Sequence, residues 1–365
     1  MRIAVIEHAG SGDYAEYIFS LIDEKAKQND YQTKTWSNSV PVSQQRITDN
    51  AVVYIYIEST STVLLNWLYR VKIPSILRKI KAGIVVDLNG IASDKIKIPQ
   101  VVAAAPFLFN KDVKKSNGIE KFAFKNFGHS SQIAENILLY SEKRQNDLSN
   151  VAQKNLQAIK FTAPVVFKTF EWHEKILIKA QHADNKEYFV SVIDDADVDS
   201  FILLLQAFSK FKKWQQSSMQ LLVLPKFESL DASIKAKHKT YKYREDVRLI
   251  EGIEEKQVAD IIASAYAFIH IAMTNAHLLL LSVAMQCSLP VISFEDEDVK
   301  EYVADAGLYC TERNAGSLGN ILIQLYKDEN LHAQLKEAAK MQAANLSRYE
   351  YENKLWQLLE TAANM

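Results

Sequence analysis

The feature that most constrains this chain is a repeated change of hydrophobic period. Short β-branched and apolar runs alternate with longer segments whose apolar positions recur every three or four residues. RIAVI (2–6) opens the series and leads, across the turn HAGSGD, into the helix-like YAEYIFSLIDEKAKQ. AVVYIYI (51–57), GIVVDLNG (83–90), NILLYS (136–141) and AIKFTAPVV (158–166) continue it as strands, with VLLNWLYRVK and SEKRQNDLSNVAQKN as helices among them. Strands that are apolar throughout, rather than alternating, are those buried on both faces, so the pattern predicts a parallel sheet covered by helices on each side.

The series then restarts. EYFVSVI (187–193), MQLLVLP (219–225), VRLIEGI (247–253), YAFIHIA and LPVISF read as strands. SFILLLQAFSKFKKWQQ (200–216), EEKQVADIIASA and NAHLLLLSVAMQC read as the helices between them, and the stretch from GSLGNIL to KMQAANL as two more. A chain of 365 residues is too long for one ordinary core and suits two. The fold class expected is α/β with two Rossmann-like domains, joined somewhere in 167–187, where periodicity fades and charge rises.

Composition narrows the function classes. The first apolar run stops at Glu7 and no later run reaches membrane-spanning length, so the expectation is a cytoplasmic protein. Cys287 and Cys310 have no metal or redox spacing and read as buried thiols. Net charge is −1, yet residues 70–125 carry twelve basic side chains against four acidic ones. That region lacks the interleaved aromatics of a nucleic-acid module, and nucleic acid is not expected as a partner. An anionic acceptor fits it, as does an anionic membrane surface that would hold the protein peripherally at the inner membrane face. The segment 63–81 is the candidate patch: Trp67, Leu68, Ile76, Leu77 and Ile80 are expected on its apolar side, and Arg70, Lys72, Arg78, Lys79 and Lys81 toward phosphates. A packed helix with a charged outer face is the alternative, and Pro74 is expected to break any single long helix.

Between LLLQAFSKFKK and the C-terminus the order of segments resembles the C-terminal domain of GT-B fold glycosyltransferases, the group called glycosyl transferases group 1 or family 4. VAMQCSLPVISF is similar to that family's "EAMACGxPVI" helix and strand, and VKEYVADAGLYC to its "EvvgdaGly" segment. SRYEYENKLWQLLE resembles its last helix, which crosses back to the N-terminal domain. The resemblance implies a GT-B fold with two domains facing a central cleft. Residues 1–166 and the helix 347–365 would form the acceptor-side domain, and 167–346 the nucleotide-sugar-type domain. It implies transfer of a sugar from a nucleotide-sugar donor to a glycan, lipid-linked or protein acceptor. The nucleotide sugar would be a substrate, with no cofactor and no metal.

Against the family pattern the donor groups differ. The two acids of its E-x7-E pair fall on Asn275 and Val283, and the loop VSVIDDADVDSF, where the family has an Arg and a Lys for the diphosphate, has no basic residue between Lys186 and Lys210. Val283 cannot accept a hydrogen bond from a ribose hydroxyl, and an acidic loop repels a diphosphate. The alternative function is therefore a catalytically inactive GT-B protein that binds or scaffolds an active glycosyltransferase. The donor-cleft candidates are Asn275, Ala276, His277, Leu278 and Glu301; Asn275 also suits a plain helix cap, and His277 a structural role. The acceptor-side candidates are Gly10 and Gly12, in a loop that could equally be a tight β–α turn, with Asp87 and Asn89, which stand where the family often has a His. DDADVD (194–199) lacks the Gly and Glu of a calcium loop, and EWHEK (171–175) is not a zinc motif.

Overall fold

The computed structural model of the chain describes residues 1–8, 13–36, 47–58, 61–104, 106–109, 118–149, 155–160, 172–194, 197–226, 229–272 and 278–364. It divides into two compact units, Met1–Phe161 with Tyr349–Met365, and Thr162–Arg348.

The N-terminal unit holds a seven-stranded sheet of β1 (Arg2–His8), β2 (Gln32–Trp36), β3 (Ala51–Ile57), β4 (Ile84–Asp87), β5 (Gln100–Ala104), β6 (Asn136–Leu139) and β7 (Asn155–Ala158). Every pairing is parallel, in the order β2-β3-β1-β4-β5-β6-β7. Ile3, Ala4, Val5 and Ile6 of the central β1 are all buried, as a strand covered on both faces requires. Helix α1 (Asp13–Gln28) buries Tyr14, Ile18, Leu21, Ile22 and Ala26, the single stripe its three-and-four spacing gives. The last strand comes earlier than AIKFTAPVV suggests, and shares only Ala158 with that run.

Residues 62–80 are helical without a gap: α2 (Thr62–Trp67), a π turn (Leu68–Lys72) and α3 (Ile73–Ile80). Pro74 does not end this helix. A proline ring clashes with the carbonyl four residues back, and the wider turn, in which the Ile73 N–H donates to the Leu68 carbonyl, makes the room. The stretch packs its apolar stripe onto the sheet, so Leu68, Ile76, Leu77 and Ile80, expected on an outward apolar side, are core residues of the unit. Trp67 alone of that set is exposed, at 48%. Helices α4 (Gly118–Ile133) and α5 (Glu142–Ser149) complete the series, and the C-terminal helix Arg348–Ala363 returns to this unit. Its Asn353 accepts from Lys25 at 2.7 Å, its Glu352 from Gln28 at 3.2 Å, and its Trp356 meets Tyr31 edge-on with centroids 5.0 Å apart.

The second unit begins with α6 (Trp172–Ala183) and repeats the plan. Its sheet is β8 (Tyr188–Ile193), β9 (Gln220–Pro225), β10 (Val247–Leu249), β11 (Ala267–His270), β12 (Val291–Phe294) and β13 (Gly307–Cys310), parallel throughout, in the order β10-β9-β8-β11-β12-β13. The connections are α7 (Val198–Trp214), α8 (Ala232–Lys239), α9 (Glu255–Ser264), α10 (Leu278–Gln286) and α11 (Glu297–Val303), followed by α12 (Ala315–Lys327) and α13 (Glu329–Asn345). Phe189 of β8 meets Phe211 and Tyr266 edge-on, at 5.4 and 5.8 Å between centroids. Helix α12 packs on α7, and Gly319 sets how closely: a Cβ there would lie 3.1 Å from the Ala207 carbonyl.

Candidate functional site

In a doubly wound sheet the strand order reverses at one place, and the connections leaving on opposite faces open a crevice at the carboxyl ends of the strands. The reversal lies between β1 and β4 in the first unit and between β8 and β11 in the second. Each crevice is described within its own unit.

In the first, His8 ends β1 and Asp87 ends β4, with Ile6 paired to Asp87 across the switch point. Tyr69, in the π turn, bridges them. Its hydroxyl donates to Asp87 Oδ2, and its oxygen lies 2.8 Å from His8 Nε2. Asp87 Oδ1 in turn accepts the Asn89 N–H at 3.0 Å and the Ile91 N–H at 2.9 Å. His8, Tyr69, Asp87 and Asn89 are all buried. Burial pushes the Asp87 carboxyl up to about 7 despite three donors, holds the His8 imidazole down to about 3, and raises the Tyr69 phenol well above its ordinary range. Burial thus favours the neutral form of each of the three side chains, and their hydrogen bonds fix the 88–91 loop between β4 and the π turn.

Gly90, inside that loop, has φ +81°, and a Cβ there would come within 2.8 Å of Leu108 Cδ1 and 3.4 Å of the Ala103 carbonyl. Gly90→Ala is expected to cost roughly 1–3 kcal/mol, measured as faster amide exchange across β4 and β5. Gly10 and Gly12, the other acceptor-side candidates, lie outside the described residues.

In the second unit, Asn275, Ala276 and His277 also lie outside the described residues. Leu278 opens α10 with its side chain buried, and Val283 is buried on the same helix. Glu301 sits in the last turn of α11, its carbonyl accepting from Gln342 of α13 at 3.2 Å. It does not line the cavity of about 210 Å³ at the ends of β11, β12 and β13, which is formed by His270, Ser293, Cys310, Arg313 and neighbouring residues. There His270 Nδ1 is 3.2 Å from Ser293 Oγ.

Arg313 is a residue that sequence reasoning missed. Its Nη2 donates to Ser200 Oγ at 3.2 Å and to the Ile271 carbonyl at 2.8 Å, and its guanidinium lies over the Phe294 ring at 4.8 Å. Ser200 stands in the first turn of α7, where Asp197 caps the helix by accepting the Ser200 N–H at 3.0 Å. Partial burial holds the guanidinium below its usual range, with the Asp197 carboxylate opposing the shift. A cation from the connection between β13 and α12 therefore reaches the start of α7, beside the acidic loop after β8. The Lys226 N–H also donates to the Ile193 carbonyl, at 2.9 Å, which sets a second basic residue beside the end of β8.

Among the described residues no three His, Cys, Asp or Glu side chains are grouped to hold a metal ion, and Asp195 and the His173 side chain lie outside them. Cys287 and Cys310 are buried free thiols, Cys287 pushed up to about 12 by burial. Arg70, Lys72, Arg78, Lys79 and Lys81 are exposed on the helix of residues 62–80 and at its end.

Residues 173–342 match the family Glycosyl transferases group 1. No curated protein matches the chain. Among solved structures, it is similar to WaaG, a glycosyltransferase involved in lipopolysaccharide biosynthesis, at 15% identity over 98% of this chain and 99% of that one, with a TM-score of 0.72. A sucrose-phosphate synthase from Thermosynechococcus elongatus aligns at 12% identity over 99% and 98%, with a TM-score of 0.76. Anabaena HepE, solved in complex with UDP and glucose, aligns at 12% identity over 99% and 100%, with a TM-score of 0.72. At such identities the likeness is one of fold, and the fold is GT-B: two parallel Rossmann-like sheets with a C-terminal helix that returns to the N-terminal unit.

Proposed function

We propose that this protein is a glycosyltransferase that takes its sugar from a nucleotide-sugar donor held by the second unit and delivers it to a glycan, lipid-linked or protein acceptor held by the first. The observation that carries the reading is Arg313, in the segment that matches the family. Departure of a nucleoside diphosphate builds negative charge, and the group that stabilises it must be a cation already fixed in place. The loop after β8 carries Asp194, Asp197 and Asp199 and no basic residue, but Arg313 is anchored to Ser200 beside it. Both of its hydrogen bonds to described residues use Nη2, which leaves Nη1 and Nε for a phosphate oxygen. The cation that the family carries after its first C-domain strand is thereby supplied from the connection after β13. In the first unit, the 88–91 loop, held by Asp87, is the acceptor-side element.

A second reading, a non-catalytic GT-B protein that partners an active glycosyltransferase, is favoured by Val283, an apolar side chain buried where the family has its second acid. Titration of the full chain with UDP, GDP and ADP and their sugar conjugates, by calorimetry and thermal shift, separates the two. A donor at a hundred times its Kd is expected to stabilise the protein by about 2.7 kcal/mol and to be turned over when an acceptor is present. Binding without turnover favours the partner reading, and no response to any nucleotide at millimolar concentration sinks the donor site itself.

A further inference from the structure

We infer that the outer face of the 62–80 helix is a docking surface for an anionic lipid bilayer. The inference is independent of sugar transfer. Once the inner stripe of this helix has gone into the core, a second apolar stripe remains outside: Val63 is 82% exposed, Leu64 42%, Trp67 48% and Val71 53%. Residues 63, 67 and 71 recur at four-residue spacing and share one face. A tryptophan and three aliphatic side chains facing water on a single helix cost solvation that an isolated exposed residue does not, and such a patch marks a surface built to be covered.

The charges around the stripe identify what covers it. Arg70, Lys72, Arg78, Lys79 and Lys81 are exposed on the same stretch, and residues 62–81 contain no acid at all. Among the described residues none of these five forms an ion pair, and Arg78 alone makes a side-chain hydrogen bond, to the Pro74 carbonyl at 3.3 Å. A helix lying in the bilayer interface needs this combination: a shallow apolar stripe with an indole for the headgroup level, flanked by long cationic side chains that reach phosphates while their stems stay apolar. Nucleic acid fits less well, since three of the four exposed apolar side chains have no aromatic face for a base to stack on. The π turn serves the same surface. It lets the helix pass Pro74 unbroken, so that Trp67 and Arg78 stay on one continuous element. No helix among the described residues is long and apolar enough to cross a membrane, so the contact proposed lies at the surface of the bilayer.

The test is co-sedimentation of the full chain with vesicles of phosphatidylcholine alone and with about a third phosphatidylglycerol. Wild type is expected to bind only the anionic vesicles and to release as salt rises. Each cation near the surface contributes about fivefold in affinity, so Arg70→Glu/Arg78→Glu/Lys79→Glu should lose a hundredfold or more. Trp67→Ser/Val71→Ser should lose about tenfold with its salt dependence intact. Lys213→Glu/Lys237→Glu/Lys239→Glu, on the second unit, should bind as wild type. All substitutions are at exposed positions, and unchanged far-UV circular dichroism excludes misfolding. Quenching of tryptophan emission by brominated acyl chains should disappear in Trp67→Phe. Equal binding to neutral vesicles, or wild-type binding by the first triple variant, overturns the proposal. So does an oligonucleotide that displaces the vesicles and is itself lost in that variant, or self-association abolished by Trp67→Ser, which would give the face to a second copy of the chain.

Discussion

Asp87→Ala is expected to destabilise the N-terminal unit by about 3–5 kcal/mol, with amide exchange in β1 and β4 accelerating together. The substitution removes the acceptor of three hydrogen bonds; the Tyr69 hydroxyl can turn to His8 Nε2, but the buried Asn89 and Ile91 N–H groups lose the Asp87 carboxylate, at about 1–3 kcal/mol each before relaxation. The same residue makes a prediction about pH whose sign is opposite to that of an ordinary carboxylate. Asp87, pushed up to about 7 from 3.8, keeps its proton longer in the folded chain. The stability it contributes is fully present below 3.8 and is lost as the pH rises through about 7. His8, held down to about 3 from 6.5, does the reverse, and its contribution grows as the pH rises from about 3 to 6.5.

Between about pH 4 and 6.5 these two slopes cancel, because the folded chain carries the proton on Asp87 and the unfolded chain carries it on His8. Removing one partner uncovers the other. His8→Gln should lose stability as the pH rises from about 4 to 7, and Asp87→Asn should gain it from about 3 to 6.5, each at up to about 1.4 kcal/mol per pH unit relative to wild type. Urea titrations at successive pH values measure both slopes. Curves for the two variants that run parallel to wild type would mean that burial does not shift these two groups in opposite directions.

That network also marks where the sequence stops being informative. AVVYIYI was legible as β3 to the residue because a central strand buried on both faces is apolar without interruption. QTKTW was not legible as β2, since an edge strand pairs on one side only and carries polar residues. In the 62–80 helix the sequence groups Trp67 with Leu68, Ile76, Leu77 and Ile80 on one apolar side, either outward or packed. Only packing on the sheet decides that Leu68, Ile76, Leu77 and Ile80 go inward while Val63 and Val71 stay out. Asp87 and Asn89 are marked by standing where the resembled family often has a His, but Tyr69 lies in a run open to either an interfacial or a packed helix, and its hydroxyl acquires a role only when β1, β4 and the π turn converge. Arg313 was hidden for the same reason at longer range. It meets Ser200 across 113 residues, and no local pattern encodes a contact that depends on strand order.

If the second unit holds a nucleotide-sugar donor as proposed, Arg313→Ala is expected to weaken binding of UDP, or of another nucleoside diphosphate, by about 2 kcal/mol, roughly thirtyfold in Kd. The magnitude follows from what surrounds the group. Glu295 and Asp296 line the same cavity and Asp197 acts on the guanidinium from the first turn of α7, so without Arg313 an anion entering there meets carboxylates. Arg313→Lys should recover only part of the loss. An ammonium restores the charge, but it cannot hold Ser200 Oγ and the Ile271 carbonyl while presenting further donors in the fixed plane of a guanidinium. Because Arg313 also ties two segments of its own unit together, affinity alone does not isolate its role. The parent nucleoside, which has no phosphate, should bind wild type and variant alike, while the diphosphate should lose both affinity and salt dependence in Arg313→Ala. A variant that loses nucleoside and diphosphate in equal proportion has lost the shape of its cavity, and a variant that binds the diphosphate as wild type does removes Arg313 from the donor site. A phosphate-specific loss would mean that the basic group absent from the loop after β8 has been replaced by one from the connection after β13, and that the local sequence of that loop is no guide to whether the protein binds a donor.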